Sequence, residues 1–130
     1  MEMRSSLGRA RGLGSANEGV HHWWGQRVSA IALVPLSLWF VWSVIALIGA
    51  DWLEFRAWIG HFGNAVLMIA LVAVTFYHAV AGIQVVIEDY VHSEGAKVVT
   101  LVVVKFALAI MGVSCILAVL RMAMRMAIGG

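Results

Sequence analysis

Any chemistry this chain performs is centred on His78. It is the fourteenth residue of a 23-residue apolar run, Ala65 to Ile87, AVLMIALVAVTFYHAVAGIQVVI. An ionisable side chain that deep in hydrocarbon is costly, and its presence points to function. Such an imidazole can ligate a metal or a haem iron, relay a proton, or bond across to a neighbouring helix. At about 100° per residue, Gly82 lies about 40° from His78, Val85 about −20° and Asp89 about 20°. One helix face therefore carries His78, a glycine one turn on, and a carboxylate about 16–17 Å along the axis. Gly82 removes a side chain just where a flat macrocycle held by His78 would approach the backbone. Tyr90, beside Asp89, adds a phenolic hydroxyl that can donate a hydrogen bond.

A second cluster runs from Gly19 to Arg27, GVHHWWGQR, at the entrance to the first apolar run. Arg27 can anchor the helix at the interface or pair with an anionic group there. His21 and His22 are adjacent, so on a helix they do not face one partner. His21, His22, His61 and His92 all fall outside the apolar runs. A bis-histidine iron site would therefore need its second ligand from another chain. The single cysteine, Cys115, excludes an internal disulfide framework and a multi-cysteine zinc or iron–sulfur site held by this chain alone. Covalent haem attachment is excluded as well, since no C-x-x-C-H occurs. Lys105 reads as a residue that snorkels from roughly 10 Å depth to the nearer surface.

The elements that must hold these residues are set by composition. Of 130 residues, 62% are hydrophobic and only 12% charged, far from the roughly 25% charge of a soluble domain. That composition argues against a water-soluble enzyme with its own cleft. The net charge of +2 is too small and scattered for a nucleic-acid surface. Three apolar runs emerge: residues 28–50, 65–87 and 98–120, each 23 residues long. As a helix each spans roughly 34 Å, enough for a hydrocarbon core of about 30 Å. The reading is an all-α membrane protein with three transmembrane helices. Short linkers, 51–64 and 88–97, favour an up-down-up arrangement. Residues 121–130 form a tail. Pro35 removes a backbone bond inside the first span and favours a bend.

Residues 1–27 read as a flexible basic segment without a signal-peptide core. Their Gly12–Gly19 stretch, GLGSANEG, does not fit a dinucleotide-binding fingerprint. Arg4, Arg9, Arg11, Arg27 and Lys97 on one side outnumber Arg56, Arg121 and Arg125 on the other, which favours a cytoplasmic N-terminus. Trp23 and Trp24 at one end, and Trp52 and Trp58 at the other, match interfacial aromatic belts.

The run His78-Ala-Val-Ala-Gly82-Ile-Gln84, followed by Asp89-Tyr90, resembles the signature of the cytochrome b hydrophobic membrane-anchor family of succinate dehydrogenase, respiratory complex II. Gly19-Val20-His21 with Arg27, leading into Ala30-Ile31, is similar to that family's N-terminal motif. The resemblance covers nearly the whole chain. It implies that His78 is an axial ligand of haem b and that Tyr90, with Asp89, forms part of a ubiquinone pocket. Arg27 and His21 match positions near the haem propionates and the quinone. It further implies a heteromeric helix bundle in which a second cytochrome b anchor subunit supplies the other haem ligand. FAD and iron–sulfur clusters belong to the partner flavoprotein and iron–sulfur subunits, which pass electrons from succinate to ubiquinone. His22 departs from the pattern, standing where some members carry an acidic residue. The absence of a clear transit segment favours a bacterial inner membrane over a mitochondrial one. Two other readings stay open: the anchor of a quinol-fumarate reductase, and a structural membrane subunit without haem.

Overall fold

The computed structural model describes residues 6–7 and 16–129. Arg4, Arg9 and Arg11 of the basic N-terminal segment, and Gly12 to Ser15 of its glycine-rich stretch, lie outside the described residues. Among the described residues the chain is helical without strands: α1 (Ala16–Ala46), α2 (Trp52–Gly60), α3 (Phe62–Tyr90) and α4 (Glu94–Ala127). Three of these, α1, α3 and α4, are long and apolar enough to cross a membrane. This is the all-α, three-span architecture that composition implied.

Helix α1 starts earlier than the first apolar run, so residues 16–27 are helical rather than a flexible lead-in. It continues through Pro35, as membrane helices do when neighbours satisfy the freed carbonyl. It closes at a turn in which Gly49 takes φ +85°, a conformation glycine adopts without a Cβ penalty. The Ala50 N–H then donates to Leu47 O at 3.0 Å.

Residues 51–64, expected to be a solvated linker, contain helix α2. Asp51 and Glu54 are its capping box: Glu54 N–H donates to Asp51 Oδ1 at 2.8 Å and Asp51 N–H to Glu54 Oε2 at 3.0 Å. These reciprocal bonds satisfy two of the helix's orphan donors. Asn64 Nδ2 donates to Trp58 O at 2.9 Å and covers the other end. Trp58 stacks on Trp39 of α1 at 5.8 Å, and Phe55 and Trp52 continue the ladder along α2. Ile59, 1% exposed, is the most buried large side chain among the described residues.

Only Val91–Ser93 separates α3 from α4, because Glu88–Tyr90 and Glu94–Lys97 of the expected linker are helical. Lys97 pairs with Glu94 at 3.2 Å across the first turn. Helix α3 packs against both α1 and α4, and α1 and α4 make no close backbone approach among the described residues. Gly112 of α4 sits against Phe76, where an added Cβ would lie 3.2 Å from Phe76 Cγ. At its far end α4 packs on α2, with Met126 against Gly60. Ser43 and Ser114 donate to carbonyls four residues back at 2.8 and 2.7 Å, so these hydroxyls are satisfied within their own helices.

Candidate functional site

The seam between α1 and α3 holds the chemistry. The helices run antiparallel there: Ser29 meets His78, and Gln26, one turn earlier on α1, meets Gly82, one turn later on α3. Ser29 is buried, 6% exposed. Its Oγ donates to Gln26 O at 2.9 Å and lies 3.0 Å from His78 Nδ1. Both distances are within hydrogen-bond range. His78 is half-buried and borders a cleft of about 320 Å³ lined by Trp23, Gln26, Arg27, Ala30 and His78.

Trp23, Gln26, Arg27 and Ala30 follow i, i+3, i+4, i+7 spacing, which puts them on one face of α1. Arg27 lies over the Trp23 ring, 5.2 Å from its centroid, and Trp23 meets Trp24 edge to face. The cation–π contact contributes about 0.5–1 kcal/mol at an exposed site and fixes where the guanidinium stands. Gly82 lies beside Gln26 but outside the cleft lining, and a Cβ there would meet nothing nearer than Gln26 Nε2 at 3.9 Å.

A larger cleft, about 530 Å³, lies along the same seam and is lined by Gly25, Val28, Ser29, Ala32, Ala73, Val74 and Tyr77. The Tyr77 hydroxyl rests against Gly25, leaving no room for a side chain at that position. This cleft has no charged residue in its lining, so the smaller one is the candidate site.

His78 and Arg27, read from two separate clusters of the sequence, meet in the cleft lining, and Gly82, read on the face of His78, stands beside Gln26 outside that lining. His21 does not join them: it is exposed on α1 and absent from the cleft lining. Asp89 and Tyr90 are exposed on the last turn of α3, also outside that lining. Ser29 and Gln26 carried no signal in the sequence beyond being polar near Arg27. The Nε2 of His22 is buried without a hydrogen-bond partner, an unusual condition for a polar atom. His22 shares a face of α1 with Gln26 and Ser29 by i, i+4, i+7 spacing. Among the described residues no group of three or more His, Cys, Asp or Glu is placed to hold a metal ion. The site therefore offers a single imidazole rather than a cage.

The family model described as succinate dehydrogenase/fumarate reductase transmembrane subunit matches residues 1–112. A succinate dehydrogenase hydrophobic membrane anchor subunit of Rickettsia bellii is 34% identical over 105 residues, covering 80% of this chain and 83% of that protein. The protein of the same description from Paracoccus denitrificans is 34% identical over 101 residues, 78% of each chain. A succinate dehydrogenase membrane anchor subunit of Reclinomonas americana is 30% identical over 92 residues, 67% of this chain and 75% of that one. No solved structure matches. The matched residues contain the whole α1–α3 seam, and the chain belongs to the succinate dehydrogenase/fumarate reductase transmembrane subunit family.

Proposed function

We propose that this chain is the membrane anchor of a succinate dehydrogenase, that His78 is one axial ligand of a haem b, and that Tyr90 and Asp89 contribute to a ubiquinone-reduction site. The observation that carries the haem reading is the disposition of His78. One ring nitrogen is held by buried Ser29, and the ring borders a cleft that also receives Arg27. A histidine ligand commonly has one nitrogen tied to the protein and the other directed to the metal.

The remaining features fit a propionate-bearing macrocycle. Gly82 leaves open space beside Gln26. Arg27 brings a guanidinium to the cleft, a group suited to carboxylates. His22 Nε2 is a buried polar atom in need of a partner. When bound, haem b supplies a one-electron redox site whose potential follows its axial ligands and burial. His78 would hold the iron from this side. The second ligand would come from a second cytochrome b anchor subunit, and flavoprotein and iron–sulfur subunits would dock at the cytoplasmic face. Those partners would hold the FAD and iron–sulfur clusters.

At the end of α3 the Tyr90 hydroxyl would donate to a quinone carbonyl oxygen. That bond strengthens as negative charge develops on the oxygen during reduction. Asp89, exposed beside Tyr90, would pass protons from water to the reduced quinone. His21, exposed on α1, would lie near the same entrance rather than in the cleft. The Lys and Arg distribution supports a cytoplasmic N-terminus, and the membrane would be a bacterial inner membrane.

The test is a reduced-minus-oxidised spectrum of the purified membrane complex, wild type against His78→Ala. The b-type signal is expected to disappear while a flavin-containing subunit still co-purifies. An unchanged spectrum would remove the ligand assignment. Failure to co-purify with any flavoprotein would leave only a structural role.

A further inference from the structure

We infer that Ser29 is a positioning residue for His78: its hydroxyl, committed to the Gln26 carbonyl, accepts from His78 Nδ1–H and leaves Nε2 as the metal-binding nitrogen. The inference rests on the haem reading above and concerns this chain's own residues. A serine hydroxyl carries one proton and two lone pairs. Ser29 Oγ donates that proton to Gln26 O at 2.9 Å, a carbonyl that can only accept. What faces His78 Nδ1 at 3.0 Å is then a lone pair. With the proton on Nδ1 both contacts are hydrogen bonds; with it on Nε2 the single hydroxyl proton serves only one of them, and Ser29 Oγ faces either Nδ1 or the Gln26 carbonyl lone pair to lone pair. In a neutral imidazole the first arrangement makes Nε2 the lone-pair nitrogen.

The opposite tautomer would turn Nε2–H into the cleft. Of the cleft's other lining side chains, Trp23, Arg27 and Ala30 offer no acceptor and Gln26 offers its amide oxygen, so the Ser29 contact rather than the cleft sets the tautomer. Ser29 is 6% exposed, so bulk water does not compete for the bond. The relay runs from His78 to Ser29 to the α1 backbone at Gln26 and therefore fixes the ring orientation as well as its proton. An accepting partner on Nδ1–H raises the basicity of the ligating nitrogen. A stronger donor favours the ferric over the ferrous state and lowers the potential.

The experiment compares Ser29→Thr with Ser29→Val, nearly isosteric but with and without a hydroxyl, in the assembled membrane complex. The readouts are haem midpoint potential and the rate of haem transfer to apomyoglobin, each normalised to retained flavin. Thr is expected to reproduce wild type. Val is expected to raise the potential and weaken haem retention about 10–100-fold, the usual effect of losing a ligand's supporting bond. Ser29→Ala removes the hydroxyl without adding a branch and should match Val, which covers the case in which Val disturbs assembly. His78→Ala in the same series separates two failures. Loss of haem there, with Thr, Val and Ala all indistinguishable from wild type, overturns the role of Ser29 alone. Haem retained in His78→Ala overturns the ligand assignment and this inference together.

Discussion

Tyr90 is 77% exposed at the last turn of α3, and no described helix of this chain covers it. A hydroxyl so placed contributes little to stability, so its removal should be felt in chemistry. As the proposed donor to quinone, Tyr90→Phe should lower quinone reduction by about 100-fold, the lower end of the range for a lost transition-state donor. Succinate oxidation measured with an artificial acceptor should stay at the wild-type rate. Equal loss of both activities would mean that the substitution disturbs assembly and would sink the assignment. Legibility in the sequence is uneven at this scale. His78 stands out because an imidazole inside an apolar run has few innocent explanations. Ser29 and His22 do not, because serines and histidines near a helix entrance are ordinary. Their roles depend on the α1–α3 register, which brings Ser29 to His78 at 3.0 Å and buries His22 Nε2. That register is set by packing, which no local pattern encodes.

The three spanning helices are legible because a hydrocarbon core imposes a minimum apolar length. Their ends are less so, since Glu88–Tyr90 and Glu94–Lys97 extend the helices with residues that read as a polar link. The short α2 is hidden although Asp51-Trp52-Leu53-Glu54 has the spacing of a capping box; its charges suggest a solvated loop. Packing between elements shows where small residues are needed. At Gly112 a Cβ would already lie 3.2 Å from Phe76 Cγ, inside the α3–α4 seam. Gly112→Leu should therefore force these helices apart, at a cost of about 1–3 kcal/mol for overpacking. The expected observation is a lower thermal midpoint of the detergent-solubilised complex, with Gly112→Ala intermediate. A Leu variant as stable as wild type would show that the α3–α4 contact does not hold the helices together.

Lipid can cover whatever is apolar on the outside of these helices at no hydrophobic cost. Exposure of Leu38 at 67% or Ile31 at 70% therefore asks for nothing but acyl chains. The cleft beside His78 is different, because Arg27, Gln26 and an imidazole line it together, and polar groups at membrane depth face protein or water rather than lipid. Polarity, not exposed apolar area, thus distinguishes the side of the molecule that takes a partner. Within this chain α4 contributes no residue to that cleft and makes no close backbone approach to α1 among the described residues. A photo-crosslinking residue placed at Ala30, on the cleft lining, should capture a second anchor subunit in the assembled complex. The same residue at Leu38, about two turns along α1 and 80° around it, should capture lipid. Ala30 giving only lipid adducts would mean that the cleft opens to the bilayer, and the partner-facing side would have to be sought elsewhere. The pair of positions lies on one helix, so expression and insertion are matched and the contrast reports on covering alone.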